Sequence, residues 1–110
     1  MKITDLVHEA HRTAVEKGWW ENPRTPGECI ALMHSELSEA LEEIRKPQCP
    51  MQQTWHQPDG KPEGVGAELA DTVIRIADFC GQFGIDLEAC IREKMTYNAT
   101  RPHRHGGKVL

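Results

Sequence analysis

The chain has 110 residues, 38% of them hydrophobic, and a formal net charge of −4. That length holds one domain, residues 1–110, with a small core. The acidic balance argues against a general binder of polymeric nucleic acid. No stretch approaches membrane-span length and Met1–Glu9 has no signal-peptide pattern, so no membrane partner and a cytoplasmic setting are expected. Cys29, Cys49, Cys80 and Cys90 have no C-x-x-C spacing, and reduced, mostly buried thiols fit them better than a disulfide framework.

Ile3, Leu6, Val7, Ala10, Ala14 and Val15 recur at helical spacing, and Gly18 is a good stop. His11, on this first helix, reads by itself as a satisfied histidine. The pair Trp19-Trp20 follows, suited either to core anchoring or to stacking on a ligand. Successive residues point apart, so Trp19 is expected to be the packing anchor and Trp20 the ring left for a ligand.

After an E-N-P-R turn, T-P-G-E forms a capping box with Thr25 as N-cap, Pro26 at the first helical position and Glu28 three on. The second helix runs to about Arg45 and stops at Lys46-Pro47. Its centre is S-E-L-S-E-A-L-E-E, Ser35 to Glu43. On a helical wheel Glu36, Glu39 and Glu43 share one narrow arc, beside an apolar stripe of Met33, Leu37, Ala40, Leu41 and Ile44. A solvated acidic face would lie opposite the stripe.

Residues 46–64 hold Pro47, Pro50, Pro58 and Pro62 and show no strand pattern. Such a long loop suits a lid over a ligand, with Trp55 and His56 in reach, or a segment tacked down by its tryptophan. The third helix starts near Pro62–Gly66 and ends at Gly84. It repeats the earlier layout: Glu68 and Asp71 lie on the shoulder of Val65, Leu69, Thr72, Val73, Ile76, Cys80 and Phe83, with Arg75 on the same arc. Asp86 caps a fourth helix with Leu87, Cys90, Ile91 and Met95 inward, while Lys94, Asn98 and Arg101 share one face. The tail, 101–110, is basic. The expected fold is all-α, a four-helix bundle.

Packed side by side, the two acid-bearing helices bring Glu36, Glu39, Glu68 and Asp71 together at the edge of the core. Unpaired, such a cluster repels itself and loses hydration, and a divalent cation relieves both costs. An all-oxygen donor set points to Mg²⁺, with Mn²⁺ as a substitute, and the E-x-x-H pairs of di-iron bundles are missing. The competing reading is a salt-bridged surface with Arg75 as the structural partner. Lys94, Arg101, Arg104 and Lys108 suit phosphate oxygens that a metal leaves uncovered. His103 and His105 make only a weak case for zinc.

These residues resemble the MazG-like nucleoside triphosphate pyrophosphohydrolases of the all-α NTP pyrophosphatase superfamily. The family pattern is E-E-x-x-E, a spacer, then E-x-x-D; here it reads S-E-L-S-E at Ser35–Glu39 and E-L-A-D at Glu68–Asp71. The segment K-M-T-Y-N-A-T-R-P-H-R-H-G-G-K is similar to the family's ending. The resemblance implies hydrolysis of an NTP or dNTP to the monophosphate and pyrophosphate, a house-cleaning hydrolase working as a homodimer or homotetramer. It implies Glu36, Glu39, Glu68 and Asp71 as metal-binding catalytic residues. Lys94, Asn98, Arg101 and Lys108 would bind phosphate or sugar, and His11 and Trp20 match base-contacting positions of a relative that prefers dCTP. Ser35 stands where the family has its first glutamate, and Arg75 where that relative has a tyrosine. Phosphoribosyl-ATP pyrophosphohydrolase, a non-catalytic Mg²⁺-nucleotide-binding module, and a purely structural bundle with Glu39, Glu43 and Arg75 as salt bridges are the alternatives.

Overall fold

The structure is a computed structural model, and it describes residues 1–103. Among these residues the chain forms four helices, α1 (Ile3–Glu16), α2 (Pro26–Ile44), α3 (Val65–Phe83) and α4 (Leu87–Thr100). The loop expected to lack strands carries a short antiparallel ladder, β1 (Trp55–His56) with β2 (Pro62–Glu63), pairing Trp55 with Glu63 and His56 with Pro62. The reason is turn chemistry: Pro58-Asp59-Gly60 folds the chain back, with the Gly60 N–H donating to Gln57 O at 2.8 Å and the Gln57 N–H to Lys61 O at 2.9 Å.

The helix ends follow their caps. Thr25 Oγ1 accepts from the Glu28 N–H at 3.1 Å and the Glu28 carboxylate accepts from the Thr25 N–H at 3.3 Å. Gly84, at φ +69°, ends α3 in the left-handed conformation, and Asp86 Oδ1 accepts from the Ala89 N–H at 3.0 Å to start α4.

Helix α3 is the middle of the molecule, with α1 on one flank and α2 on the other. The centre of the α1–α3 seam is apolar: Val7, Ala77 and Cys80 are buried, with Leu6, Ala10, Ile76, Phe79 and Leu87 packed against them. The two helices approach so closely at Gly81 that a Cβ there would meet His11 Cβ at 2.5 Å. The α2–α3 seam is different. Cys29, Met33, Glu36 and Ala40 of α2 are buried on it, as are Val65, Glu68 and Thr72 of α3.

Two expectations about the apolar faces are corrected. Helix α4 is held at its start, where Leu87 reaches the core and Glu88 accepts from the Thr4 N–H at 3.4 Å. Beyond that turn Cys90, Ile91 and Met95 are exposed rather than inward, Met95 at 67%, because the α1–α3 seam is already closed and only Leu87 lies over it. On α2 and α3 Glu36 and Glu68 share the seam with Met33, Ala40 and Val65, and Leu37, Leu41, Ile44, Leu69 and Val73 are left on the surface. The helices are antiparallel, Glu36 meeting Arg75 while Glu39 lies by Glu68. Positions about 100° past each helix's contact line therefore fall on one common side, and these five residues make one apolar face. The radius of gyration is 16.6 Å, against about 13 Å for a compact chain of this size. The cysteines are free, with Cys29 and Cys80 buried, Cys49 half-buried and Cys90 exposed.

Candidate metal centre

Opposite the apolar face, α2, α3 and the hairpin enclose a cleft of about 420 Å³. Glu36, Glu39, Glu68 and Asp71 all line it, together with Glu42, Glu43, Lys46, Lys61 and Glu63. Carboxylate oxygens of Glu36, Glu39 and Glu68 lie within 4.8 Å of one another, and so do those of Glu43, Glu63 and Glu68. Glu68 is common to both groups. Asp71 belongs to neither and sits exposed at the rim.

Glu68 is only 6% exposed, and its Oε2 is buried with no hydrogen-bond partner among the described residues. Burial, and then the neighbouring Glu39 and Glu63 carboxylates, push its pKa up to about 7. Burial and the Glu36 charge also raise Asp71, with Arg75 opposing. Glu63 goes the other way: a hydrogen bond from Lys61, at 3.3 Å, holds its carboxyl below the usual range, helped by Gln57 Nε2 at 2.9 Å. Lys46 Nζ donates to Glu43 at 2.9 Å, and Arg75 Nε donates to Glu36 Oε1 at 2.7 Å.

The residues fit a hard divalent cation. The donors are all oxygen, and a buried carboxylate oxygen with no partner is the kind of acceptor such an ion satisfies. Glu63 and Lys61 were missed because they lie in the proline-rich segment, outside any helical period. The P-D-G turn just before them was the available signal.

The remaining expected site residues are placed elsewhere. His11 Nδ1 and Trp20 Nε1 converge on Asp78 Oδ1, both at 2.9 Å, and Trp20 meets His11 and Phe83 edge-on. Trp20 is thus the packing anchor. Trp19, expected in that role, is 54% exposed with the Arg24 guanidinium 5.2 Å from its ring centre. The Asp78 carboxylate holds the Trp20 indole in place. Lys94 and Asn98 are exposed on α4, Arg101 is half-buried at its end, and none of them lines the acid cleft; Lys94 and Arg101 lie over Tyr97 at 5.7 and 5.5 Å. Lys108 lies outside the described residues, as do Arg104 and His105. Ser35 is exposed and donates back to Ala31 O at 3.3 Å. No helix among the described residues is long and apolar enough to cross a membrane. No family model, curated protein or solved structure matches the chain.

Proposed function

We propose that this chain is a Mg²⁺-dependent nucleoside triphosphate pyrophosphohydrolase of the MazG-like type, cleaving an NTP or dNTP to the monophosphate and pyrophosphate. The carrying observation is Glu68: a buried carboxylate with an unpartnered oxygen, within 4.8 Å of Glu36 and Glu39. Such an acid is costly without a ligand, and the open cleft in front of it leaves room for a phosphate chain.

Glu36, Glu39 and Glu68 would hold the ion, with Asp71 at the rim. Bound there, Mg²⁺ supplies charge neutralisation for phosphate oxygens and an acidified water. Glu39, the exposed member of the trio, orients the attacking water and takes its proton. Lys46 and Lys61, on the cleft wall, meet phosphate oxygens that the acids would repel. Lys94, Asn98 and Arg101 are remote from the cleft within one chain, and a second copy is the natural source of such groups. The exposed face of Leu37, Leu41, Ile44, Leu69 and Val73 supports that homodimer or homotetramer, since a patch this continuous calls for a partner.

The test is a panel of NTPs and dNTPs with Mg²⁺, scored for pyrophosphate against phosphate. Release of pyrophosphate and a nucleoside monophosphate is expected. Turnover of phosphoribosyl-ATP alone selects that pyrophosphohydrolase instead. Nucleotide binding with no pyrophosphate points to a non-catalytic binding module, and no Mg²⁺-dependent rise in Tm at all points to a structural bundle.

A further inference from the structure

Arg75 is half-buried on α3, and its one hydrogen bond among the described residues goes to Glu36 Oε1. The Arg75–Glu36 pair borders two spaces. Glu36 lines the acid cleft, while Arg75 itself lines a smaller cleft on the other side with Trp20, Arg24, Leu32 and Asp78. The pair is not a solvated surface contact: the side chains of Arg75 and Glu36 are 33% and 11% exposed. A part-buried pair at this distance resists screening and exchange far better than an exposed one.

Its effect on the cleft is a matter of charge. Lys46 neutralises Glu43, Lys61 neutralises Glu63, Arg45 takes Glu42 at 3.1 Å and Arg75 takes Glu36. Glu39, Glu68 and Asp71 remain without a cation among the described residues. One divalent ion leaves this set slightly negative; two would overshoot it. Glu36 keeps one oxygen for a metal, the other being committed to the guanidinium.

We propose that Arg75 is a built-in cation standing in for a second metal ion at Glu36, so that the cleft takes one divalent ion per chain. The proposal rests on the metal-centre reading above. Arg75 acts through Glu36 as a positioning residue, fixing which carboxylate oxygen faces the cleft and limiting the charge the cleft can accept. A lysine keeps the charge, whereas a neutral residue releases Glu36 as a full ligand.

Mn²⁺ titration followed by the electron-spin-resonance signal of the free ion tests this at pH 7.5. The native protein is expected to bind one Mn²⁺ per chain. Arg75→Met is expected to bind two, the first at least tenfold more tightly, and Arg75→Lys to stay at one. Adding Glu36→Gln to Arg75→Met should abolish the second ion. Arg75→Gln provides the same readout if the methionine variant does not fold, as checked by circular dichroism. Two ions on the native protein, or neutral variants that bind one ion with unchanged or weaker affinity, would overturn the proposal while leaving the metal centre standing. No Mn²⁺ binding by the native protein would overturn the metal centre itself.

Discussion

Helix α3 meets its two neighbours with different balances of apolar and charged groups. Against α1 it presents Ala77 and Cys80 to Val7, a small apolar core with the His11–Asp78 pair beside it. Against α2 it presents Val65, Glu68, Thr72 and Arg75, facing Cys29, Met33, Glu36 and Ala40. Burying an aliphatic side chain contributes roughly 1.5–3 kcal/mol, whereas burying a carboxylate without full compensation costs stability. The first seam explains why the chain folds. The second buries Met33, Ala40 and Val65 too, but it also buries Glu36 and Glu68, a cost that a bound cation would offset. What the contrast teaches is that the two helices flanking α3 hold it for different reasons, although both sequences are amphipathic.

The largest expected effect breaks the polar seam. Glu68→Gln should lower Mg²⁺-dependent turnover by roughly a hundredfold or more, the scale of removing a group aimed at developing charge. In EDTA at pH 8 the same variant should melt above the native protein, because a desolvated charge is gone. Glu36→Gln, which leaves Arg75 without its anion, should melt below it. A calorimetric scan in which Glu68→Gln melts lowest would place the cost of burial elsewhere.

Next in size is the apolar side. Trp20 joins α1 to α3 through Asp78 and Phe83. Trp20→Ala should cost about 2–3 kcal/mol, below the ~3–5 kcal/mol of a fully buried aromatic. Trp19→Ala, on an exposed ring, should stay within about 0.5 kcal/mol. Urea midpoints measure both, and equal losses would erase the distinction between the rings.

The last effect is in pH. The folded pKa of Glu68 is raised from 4.5 to about 7. Its protonated form is favoured by folding, so its contribution is fully present below about pH 4.5 and is lost as pH rises through about 7. Asp71 shifts in the same direction, while the lowered Glu63 acts only at more acid pH. The Tm in EDTA should therefore fall over this window, and the increment given by Mg²⁺ should grow over it, because ion and proton compete for the same oxygens. In Glu68→Gln both slopes should flatten; a native Tm that climbs from pH 5 to 7 in EDTA contradicts the assignment.

Much of this was legible in the residues. The capping box at Thr25, the left-handed stop at Gly84 and the Asp86 cap are local chemistry, and the helices end where those residues stand. The i, i+3 acid pairs lie in one cleft, as their shared arc predicted. A wheel does not say which arc faces a neighbour. Glu36 and Glu68 lie at the middle of the α2–α3 contact instead of on its shoulder, and Leu37, Leu41 and Val73 are outside. Helical period likewise could not say that α4 leaves the core after Leu87, since that depends on how much seam α1 and α3 leave open. Trp20 is held by Asp78, some sixty residues away in sequence and invisible to any local rule.

The hairpin has one further consequence, for anyone wishing to alter the chain. Its two glycines differ. Gly64, at φ +119°, sits where an added Cβ would meet Gln53 O at 2.9 Å, while at Gly60, φ +91°, no described residue stands within 4 Å. The base of the ladder is thus closed to any side chain, and its tip faces open space. A peptide tag or dye-bearing segment spliced between Pro58 and Gly60 would extend into solvent while the rungs at Trp55–Glu63 and His56–Pro62 stay paired. Melting such an insert beside Gly64→Ala separates the two ends of the ladder, with the loss confined to the base. The tip then becomes an anchoring point for a reporter, one short ladder away from Glu63 and the cleft it lines.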